Sequence, residues 1–501
     1  MVQQPPNSTQ SPDLSEVSPL HMDQFYRRFF PFPMYYKWLN YSSQGVSKNI
    51  KNREFSFTIQ NDIYIRYQSF NSEEDFKRDV IQKCPNKIDI GAVYNIAPKL
   101  AKTVHAGVMK PLEKELVFDI DMTDYDEIRT CCSGGDICKK CWGWMSVAMK
   151  ILDVTLKEDF GFKNNLFVYS GRRGVHCWVC DERARLLDNS ARKAIVGYLT
   201  LIKGGAQQIR KVILGDGKGH PHVQRSLKIA NKYFKSIVLE SQDILKYPSG
   251  WNKILELLPN PEFGKHFDKL WTKENNKLGI TSIKEEKKLS ENSSDDEIEK
   301  MDVDSSDNSY SKNSRKSISV ERWEQLEKYL KDKNSKKSKE SKWSSNTVLS
   351  EIILQFTYPR LDENVSTHLN HLLKSPFCIH PKTGKVCVPI AAHEFDKFDP
   401  MRVPTVQQLL NEVDSYDASI SLEKKIVSDS ANSQKEHKDS SVIGEGKEEI
   451  MQTEQVMSSN SAQDSIPDVE KTSLKKYIRS FETFVNRIPE LDAKLQDKLS
   501  F

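Results

Sequence analysis

The sequence lacks any run of about 18 consecutive apolar residues. It also lacks a basic and apolar leader, because its first residues, "MVQQPPNSTQSPDLSEVSPL", are polar and rich in proline and serine. The first absence excludes a membrane-spanning helix, and the second argues against a secretory signal peptide. We therefore expect a reducing intracellular compartment, in which clustered cysteines hold metal more often than they form disulfides. The sequence has nine cysteines, an odd number.

Two common catalytic signatures are missing as well. No segment has the G-x-x-x-x-G-K-[ST] spacing of a P-loop, although "HPKTGK" at 380–385 has its glycine and lysine, and no segment has the G-x-S-x-G elbow of hydrolases. The net charge of +4 is too small for 501 residues to indicate nucleic-acid binding by itself. Any argument for nucleotides must come from local groups of residues.

The sequence does contain enough apolar residues, 37%, for a large folded core. Strand-like alternation occurs at 53–70, 114–121 and 165–181, and helix-like periodicity at 145–160, 190–204 and 225–246. This mixture predicts an α/β or α+β catalytic domain with a largely helical subdomain.

Changes in composition divide the chain. Residues 275–318 are rich in serine, asparagine and charge, so they cannot bury enough apolar surface to offset the entropy of ordering. The lysine-rich run at 331–342 is a solvated linker, the end of the helix predicted at "VERWEQLEKYL", or a segment that contacts phosphates. The predicted boundaries are a disordered N-terminus at 1–20, a first part of the core at 21–184, a helical subdomain at 185–272, a mostly disordered insertion at 273–343, a second part of the core at 344–416, a disordered linker at 417–470 and a C-terminal helix at 471–501.

Two aspartates lie in the short segment "LVFDID". Side chains of a strand alternate between its faces, so Val117, Asp119 and Asp121 share one face, with the aspartate Cα atoms roughly 7 Å apart. Two such carboxylates suit a shared Mg²⁺ or Mn²⁺ ion, because hard oxygen ligands bind these cations. An exposed edge strand with two solvated aspartates remains the alternative.

Four cysteines follow in the pattern C-C-x5-C-x2-C, namely Cys131, Cys132, Cys138 and Cys141. Four thiols this close together satisfy a closed tetrahedral Zn²⁺ site, which would hold a loop in place and would not activate water. The alternative is a run of incidental thiols.

The segment "YSGRRGVH" brings two guanidinium groups and an imidazole to a glycine-flanked turn after a strand. Arginine binds phosphate oxygens through two parallel hydrogen bonds, so the turn resembles a cradle for a triphosphate. A surface arginine pair at a hairpin is equally compatible with the pattern. The candidate residues are Ser170, Gly171, Arg172, Arg173, Gly174 and His176.

A later segment, 359–389, offers one carboxylate and several basic groups. Asp362 can supply the third carboxylate of a two-metal site, and the basic residues can bind phosphates. These basic residues are Arg360, His371, Lys374 and His380.

Two further histidines, His220 and His222, have no cysteine or carboxylate nearby in the sequence. We interpret them as residues of a loop.

Together these stretches resemble the archaeo-eukaryotic DNA primase small-subunit family in its eukaryotic form. The resemblance also includes "FYRRFFPFPMYYKWL" at 25–39, "REFSFTIQNDIYIRYQSF" at 53–70 and "KIDIGAVY" at 87–94. It implies a primase core of mixed β-sheets flanked by helices, with a zinc knuckle at 131–141. It further implies a nucleotidyltransferase that condenses ribonucleoside triphosphates into a short RNA primer on a DNA template.

The resemblance also assigns roles to individual residues. Asp119, Asp121 and Asp362 would hold two Mg²⁺ or Mn²⁺ ions, Glu54 would be an active-site acid, and the four cysteines would bind a structural Zn²⁺. The expected nucleotide-binding residues are Arg66, Asp89, Ser170, Gly171, Arg172, Arg173, Gly174, His176, Arg360, His371, Leu372, Leu373, Lys374 and His380.

The partners that the resemblance implies are a single-stranded DNA template, ribonucleoside triphosphates, a large iron–sulfur primase subunit and the DNA polymerase alpha complex, in the nucleus. The long insertion and the polar segment before the last helix depart from the family pattern. Two other functions remain open: a nucleic-acid-binding scaffold that has lost catalysis, and a primase-polymerase that prefers deoxynucleotides.

Overall fold

The computed structural model describes residues 17–42, 45–105, 107–205, 207–215, 219–280, 317–335, 343–436 and 466–499. The chain divides into two compact units whose segments alternate along the sequence. The first unit comprises residues 1–112, 372–389 and 402–501, and the second comprises 113–371 and 390–401.

The described strands are β1 (Arg53–Thr58), β2 (Tyr64–Gln68), β3 (Lys87–Tyr94), β4 (Pro111–Glu113), β5 (Leu116–Asp121), β6 (Asn165–Tyr169), β7 (Gly174–Val179), β8 (Leu373–Lys374) and β9 (Pro389–Ile390). The described α-helices are α1 (Pro19–Arg28), α2 (Phe32–Asn40), α3 (Lys48–Lys51), α4 (Glu73–Lys83), α5 (Lys139–Glu158), α6 (Glu182–Arg185), α7 (Asn189–Leu199), α8 (Pro221–Tyr233), α9 (Pro248–Leu255), α10 (Pro261–Leu278), α11 (Ile318–Ser335), α12 (Ser345–Thr357), α13 (Glu363–Thr367), α14 (Val406–Glu436) and α15 (Lys475–Leu499). A π-helical segment, Phe234–Ser241, continues α8.

The first unit contains an antiparallel sheet in which β1 pairs with both β2 and β3. The short strand β8 pairs with β3, so that Asp89 lies opposite Lys374. Aromatic side chains from helices cover the sheet: the rings of Phe55 and Phe76 are 5.1 Å apart, and Tyr35 stacks on Phe76 at 5.5 Å. These contacts form a buried aromatic core that holds β1 and β3 in place.

The second unit contains an antiparallel sheet in which β7 lies between β5 and β6. Helix α5 packs its long apolar face in this unit, and the indole Nε1 of Trp144 donates a hydrogen bond of 2.8 Å to the carbonyl of Phe356 in α12. Most of the remaining residues of this unit are helical. The predicted α+β architecture is therefore confirmed.

Most of the three segments predicted to be disordered lies outside the described residues, namely 1–16, 281–316, 336–342 and 437–465. The described parts of the insertion and the linker include helix α11 and the second half of helix α14. The predicted domain boundaries stay a prediction. Among the described helices, none combines the length and the apolarity needed to cross a bilayer.

Candidate active site

Strand β5 presents two carboxylates at the surface of an otherwise buried segment. Asp119 and Asp121 are partly exposed, whereas Phe118 and Ile120 between and beside them are buried. The pairing of β5 with β7 places His176 opposite Asp119, with 3.6 Å between Nε2 of the histidine and Oδ1 of the aspartate. The strand therefore presents an acidic face, and the neighbouring strand adds an imidazole to it.

Asp362 comes from a distant part of the chain and lies beside the same strand. Its backbone N–H donates a hydrogen bond of 3.2 Å to the backbone carbonyl of Asp119. Its carboxylate caps helix α13 by accepting a hydrogen bond of 2.9 Å from the N–H of Asn364. These two bonds fix both the backbone and the side chain of Asp362 next to Asp119.

The three aspartates line a single cavity of about 840 Å³ in the second unit. One further residue from the predicted set, Arg360, lines it too. The cavity is also lined by polar and charged residues that the sequence did not indicate, namely Thr123, Asp124, Glu127, Thr200, Lys211, Glu363 and Asn364.

Asp121 is held in its charged form by its neighbours. Burial alone would raise the pKa of its carboxyl group, but hydrogen bonds from the N–H and hydroxyl of Thr123 and from Arg173 outweigh burial and hold the pKa below its ordinary value. Asp124 differs, because burial and the charge of Asp121 raise its pKa. The cavity therefore contains an aspartate that is held in its charged form, and carboxylate oxygens of this kind can bind a cation.

The segment from Ser170 to Gly174 forms a tight turn between β6 and β7. Gly171 has φ of +88°, and the hydroxyl of Ser170 accepts a hydrogen bond of 3.0 Å from the N–H of Gly174. A Cβ on Gly174 would overlap the carbonyl oxygen of Ile120, so only glycine fits against β5. The turn therefore needs both glycines, one for its backbone angle and one for space.

The two arginines of this turn differ in what they contact. Arg173 forms an ion pair with Asp121, with 2.8 Å between Nε and Oδ1. Arg172 is partly exposed, and its guanidinium has no hydrogen-bond or ion-pair partner among the described residues. The donors of Arg172 are thus available to an anion, whereas those of Arg173 already stabilise a cavity aspartate.

The four cysteines form a compact cluster. The Sγ atoms of Cys131, Cys132, Cys138 and Cys141 all lie within 4.8 Å of one another. A hydrogen bond with the Cys141 thiol lowers the pKa of Cys131 to about 5, and burial raises the pKa of Cys132 to about 12. One thiolate is therefore favoured without a cation, and further thiolates need a positive charge to offset their repulsion.

Side chains outside the cluster brace its loop. The guanidinium of Arg129 donates to the carbonyl oxygens of Gly134 and Asp136 at 2.9 and 2.8 Å. Nε2 of Gln242 lies 3.4 Å from Sγ of Cys131. Four thiols with such outer contacts are typical of a structural metal site, so the cluster can hold a metal ion.

Most of the remaining predicted residues lie in the first unit, where Glu54 is fully buried. Its carboxylate accepts hydrogen bonds from Nε of Arg66 at 2.9 Å and from the hydroxyl of Tyr94 at 3.1 Å. Asp89 accepts a hydrogen bond of 3.1 Å from the hydroxyl of Tyr64. The structure thus pairs Glu54 directly with Arg66, two residues predicted for the same site.

The segment after His371 also belongs to the first unit. A Cβ on Gly91 of β3 would stand 2.8 Å from the Leu372 side chain, so Leu372 packs closely on β3. Leu373 and Lys374 form β8, which pairs with β3. His380 begins a turn, since its carbonyl accepts from the N–H of Gly384 at 2.8 Å. His371 itself lies in the second unit, where the ammonium of Lys114 donates to its carbonyl.

Comparison with known proteins identifies the family. Residues 118–392 match the family model described as DNA primase small subunit. A DNA primase small subunit of Schizosaccharomyces pombe is 40% identical over 394 residues, which is 78% of this chain and 77% of the relative. This chain belongs to the DNA primase small subunit family. The corresponding proteins of Drosophila melanogaster and Saccharomyces cerevisiae are 40% and 36% identical over 401 residues, 78% of this chain in each case and 81% and 85% of the relatives.

Primase small subunits are catalytic, and the chain is accordingly a nucleotidyltransferase that makes RNA primers for DNA replication. The activity predicted from the sequence is confirmed. Its substrates are a DNA template and nucleoside triphosphates, and it acts as part of a primase complex.

The two candidate metal sites of this primase subunit differ in geometry. Histidine nitrogens, cysteine sulfurs and carboxylate oxygens are the atoms that could bind a metal ion. In the described part of the chain, the cysteine cluster is the one group in which three or more of these atoms lie within 4.8 Å of one another. The aspartates share a cavity without meeting that distance. Ionised carboxylates repel one another, so a cation favours their convergence, and carboxylate oxygen atoms suit Mg²⁺ or Mn²⁺.

Among the residues of the primase cavity that the sequence did not indicate are Glu127 and Lys211. Glu127 lies six residues beyond Asp121 in a segment with no repeating pattern, and Lys211 lies in the predicted helical subdomain. Lysines and glutamates are abundant on protein surfaces, so residue type alone carried no signal.

Proposed function

We propose that the chain catalyses primer synthesis through Asp119, Asp121 and Asp362 as ligands of two Mg²⁺ or Mn²⁺ ions. The observation that carries this proposal is the shared cavity, in which the amide of Asp362 is hydrogen bonded to the carbonyl of Asp119. When bound, the two ions supply charge that activates the 3′-hydroxyl and stabilises the pyrophosphate leaving group. The contact between Asp362 and strand β5 holds the three carboxylates at the same cavity.

Residues of the turn after β6 bind the incoming nucleotide in this proposal. Arg172 binds a phosphate through its unused donors, and Ser170 and His176 contribute polar contacts. Gly171 and Gly174 let the backbone approach, and Arg173 keeps Asp121 charged. The other nucleotide-binding residues of the proposal are Arg66, Asp89, Arg360, His371, Leu372, Leu373, Lys374 and His380, and Glu54 is its active-site acid.

The cysteine cluster holds Zn²⁺ in this proposal. Four thiolates complete a tetrahedral shell around the ion, so it stabilises the loop and leaves no position for a substrate.

The proposal includes the assembly of the chain. We infer a large iron–sulfur primase subunit and the DNA polymerase alpha complex as partners, and the nucleus as the location. The support is the likeness to eukaryotic primase small subunits over 78% of this chain.

The test is synthesis on an unprimed single-stranded DNA template by the purified chain, with and without the large subunit. Ribonucleotides and deoxynucleotides are supplied in parallel reactions with Mg²⁺, with Mn²⁺ or with a chelator. We expect short RNA products that need a metal ion and that Asp119→Ala abolishes. Preferred use of deoxynucleotides would indicate a primase-polymerase, and template binding without synthesis would indicate a scaffold.

A further inference from the structure

Glu127 lies between two cationic side chains at the cavity. Its Oε2 atom is 2.6 Å from Nζ of Lys211, and its Oε1 atom is 2.5 Å from Nη1 of Arg360. The side chains of Lys211 and Arg360 are only 8% and 10% exposed, whereas Glu127 is 36% exposed. Burial alone would raise the pKa of Glu127, but its two cationic partners outweigh burial and hold the pKa below its ordinary value. Glu127 is thus a charged bridge between two nearly buried cations.

The Arg360 end of this bridge ties down the loop that carries Asp362. The Nη1 group of Arg360 also donates to the backbone carbonyl of Asp124 at 2.7 Å, and the Arg360 N–H donates to the hydroxyl of Tyr125 at 3.2 Å. The guanidinium lies over the Tyr125 ring, 5.4 Å from its centroid. Its Nε and Nη2 atoms are buried and make no hydrogen bond to the described residues. Protein atoms cover these two donors. Arg360 therefore anchors the loop through the contacts of its Nη1 atom, its backbone N–H and its stacked guanidinium.

The Lys211 end leads back to the same loop through helix α12. The backbone N–H of Lys211 donates to the side chain of Gln355 at 2.9 Å, and the N–H of Leu214 donates to Glu351 at 2.9 Å. Gln355 and Glu351 lie in α12, which ends two residues before Pro359. The contacts therefore close a ring: α12 holds Lys211, Lys211 holds Glu127, and Glu127 holds Arg360, which follows α12.

We propose that Glu127 is a positioning residue that sets the place of Asp362 relative to Asp119 and Asp121, and thereby the affinity of the cavity for divalent cations. This inference rests on the proposed metal-binding role of the three aspartates. Both carboxylate oxygens of Glu127 are engaged by cations, so it acts through Arg360 rather than as a further metal ligand. The bridge connects the segment that follows β5, the strand of Asp119 and Asp121, with the loop that leads to Asp362 at the start of α13.

The test is the substitution Glu127→Gln in the full-length chain. Glutamine keeps the size of the side chain but offers a single acceptor oxygen, so one of the two cations loses its partner. The dissociation constant for Mn²⁺ alone is measured by electron paramagnetic resonance without nucleotide or template, and KM for the nucleotide is measured at saturating Mn²⁺. We expect the Mn²⁺ dissociation constant to rise by about tenfold or more, and KM for the nucleotide to change by a smaller factor.

Two further variants complete the experiment. Glu274→Gln is the matched control, because Glu274 also accepts from a buried guanidinium, that of Arg322 at 3.4 Å, but does not line the cavity. It should leave Mn²⁺ binding unchanged. Lys211→Met removes one half of the bridge with an apolar side chain of similar length, and should weaken Mn²⁺ binding in the same direction. It carries the test if Glu127→Gln fails to fold by circular dichroism.

The outcomes separate this inference from the proposed function. The metal-binding proposal itself is overturned if the wild-type chain binds no Mn²⁺, or if Asp119→Ala leaves the Mn²⁺ binding of the chain unaffected. Wild-type binding that Asp119→Ala removes but Glu127→Gln and Lys211→Met leave intact overturns only the positioning role. A raised KM for nucleotide with unchanged Mn²⁺ affinity also overturns it, because the bridge would then act on nucleotide binding and not on the metal site.

Discussion

The guanidinium of Arg172 lies against the backbone of Gly135, so that a Cβ built on this glycine would overlap Nη2 and Cζ and stand 3.0 Å from Nε. Gly135 belongs to the loop between Cys132 and Cys138. It is not among the glycines with positive φ, so its backbone angles are open to other residues, and a larger side chain there would have to displace the arginine. The cysteine loop thus forms one wall of the space that Arg172 occupies.

Gly135→Ala should displace the guanidinium of Arg172 and weaken nucleotide binding. The loss of a charge-assisted contact to phosphate predicts an increase in KM of about tenfold, with a smaller effect on kcat. Gly197→Ala is the control, because no atom apart from its chain neighbours and the backbone of its own helix, α7, lies within 4 Å of the Cβ position at that glycine. Steady-state kinetics of primer synthesis with varied nucleotide measure both variants. An unchanged KM for Gly135→Ala would show that the position of Arg172 does not matter for the nucleotide.

The cysteine cluster should bind about one zinc ion per chain. Cys141→Ser removes a buried ligand and should lower the zinc content and the apparent melting temperature, because metal-binding energy contributes to folding. Elemental analysis and thermal denaturation measure the two effects. Cys177→Ser serves as the comparison, since Cys177 is a buried thiol in β7 outside the cluster. Equal zinc content in both variants would contradict a zinc site at these four cysteines.

His222 should make stability depend on pH. Burial lowers its pKa from 6.5 to about 4. Its Nε2 atom is hydrogen bonded to the hydroxyl of Tyr358 at 2.8 Å, and its Nδ1 atom to the hydroxyl of Thr155 at 3.2 Å. Between these pKa values the unfolded chain binds more protons than the folded chain. The contribution of the neutral His222 side chain to the free energy of unfolding is therefore fully present above pH 6.5 and decreases as the pH drops toward 4.

His222→Gln lacks this titration. Its melting temperature should therefore lie below that of the wild type at neutral pH, and the difference should shrink at pH values between the two pKa values. Melting curves of both proteins over this range provide the measurement. A difference that does not change with pH would mean that His222 does not stay neutral in the folded chain.

Local patterns predicted the elements and the faces of the strands. The alternation in "LVFDID" correctly placed Asp119 and Asp121 on the accessible face of β5. The proximity of Asp362 arises from the backbone bond to Asp119, a tertiary contact that no local pattern contains.

Other features of the fold and of the site depend on partners distant in sequence. His222 was interpreted as a loop residue, but Pro221 begins a helix, and the imidazole is 3% exposed against Tyr358. The ion pair between Arg173 and Asp121 and the bridge at Glu127 are of the same kind. Each needs a neighbour that only the folded chain supplies.

The most direct test of the proposed metal-binding role of the three aspartates is dinucleotide synthesis by Asp362→Asn. Asp362 is distant from Asp119 and Asp121 in the sequence, and a tertiary contact brings it to the cavity. The substitution keeps the shape of the side chain and its capping oxygen but removes its charge, and Asp332→Asn at an exposed position of α11 is the control. The rate of dinucleotide synthesis by Asp362→Asn should fall by about a hundredfold or more, and Mn²⁺ should bind more weakly. Asp332→Asn should match the wild type in both measurements. Wild-type rates and Mn²⁺ affinity for Asp362→Asn would contradict the proposed metal-binding role.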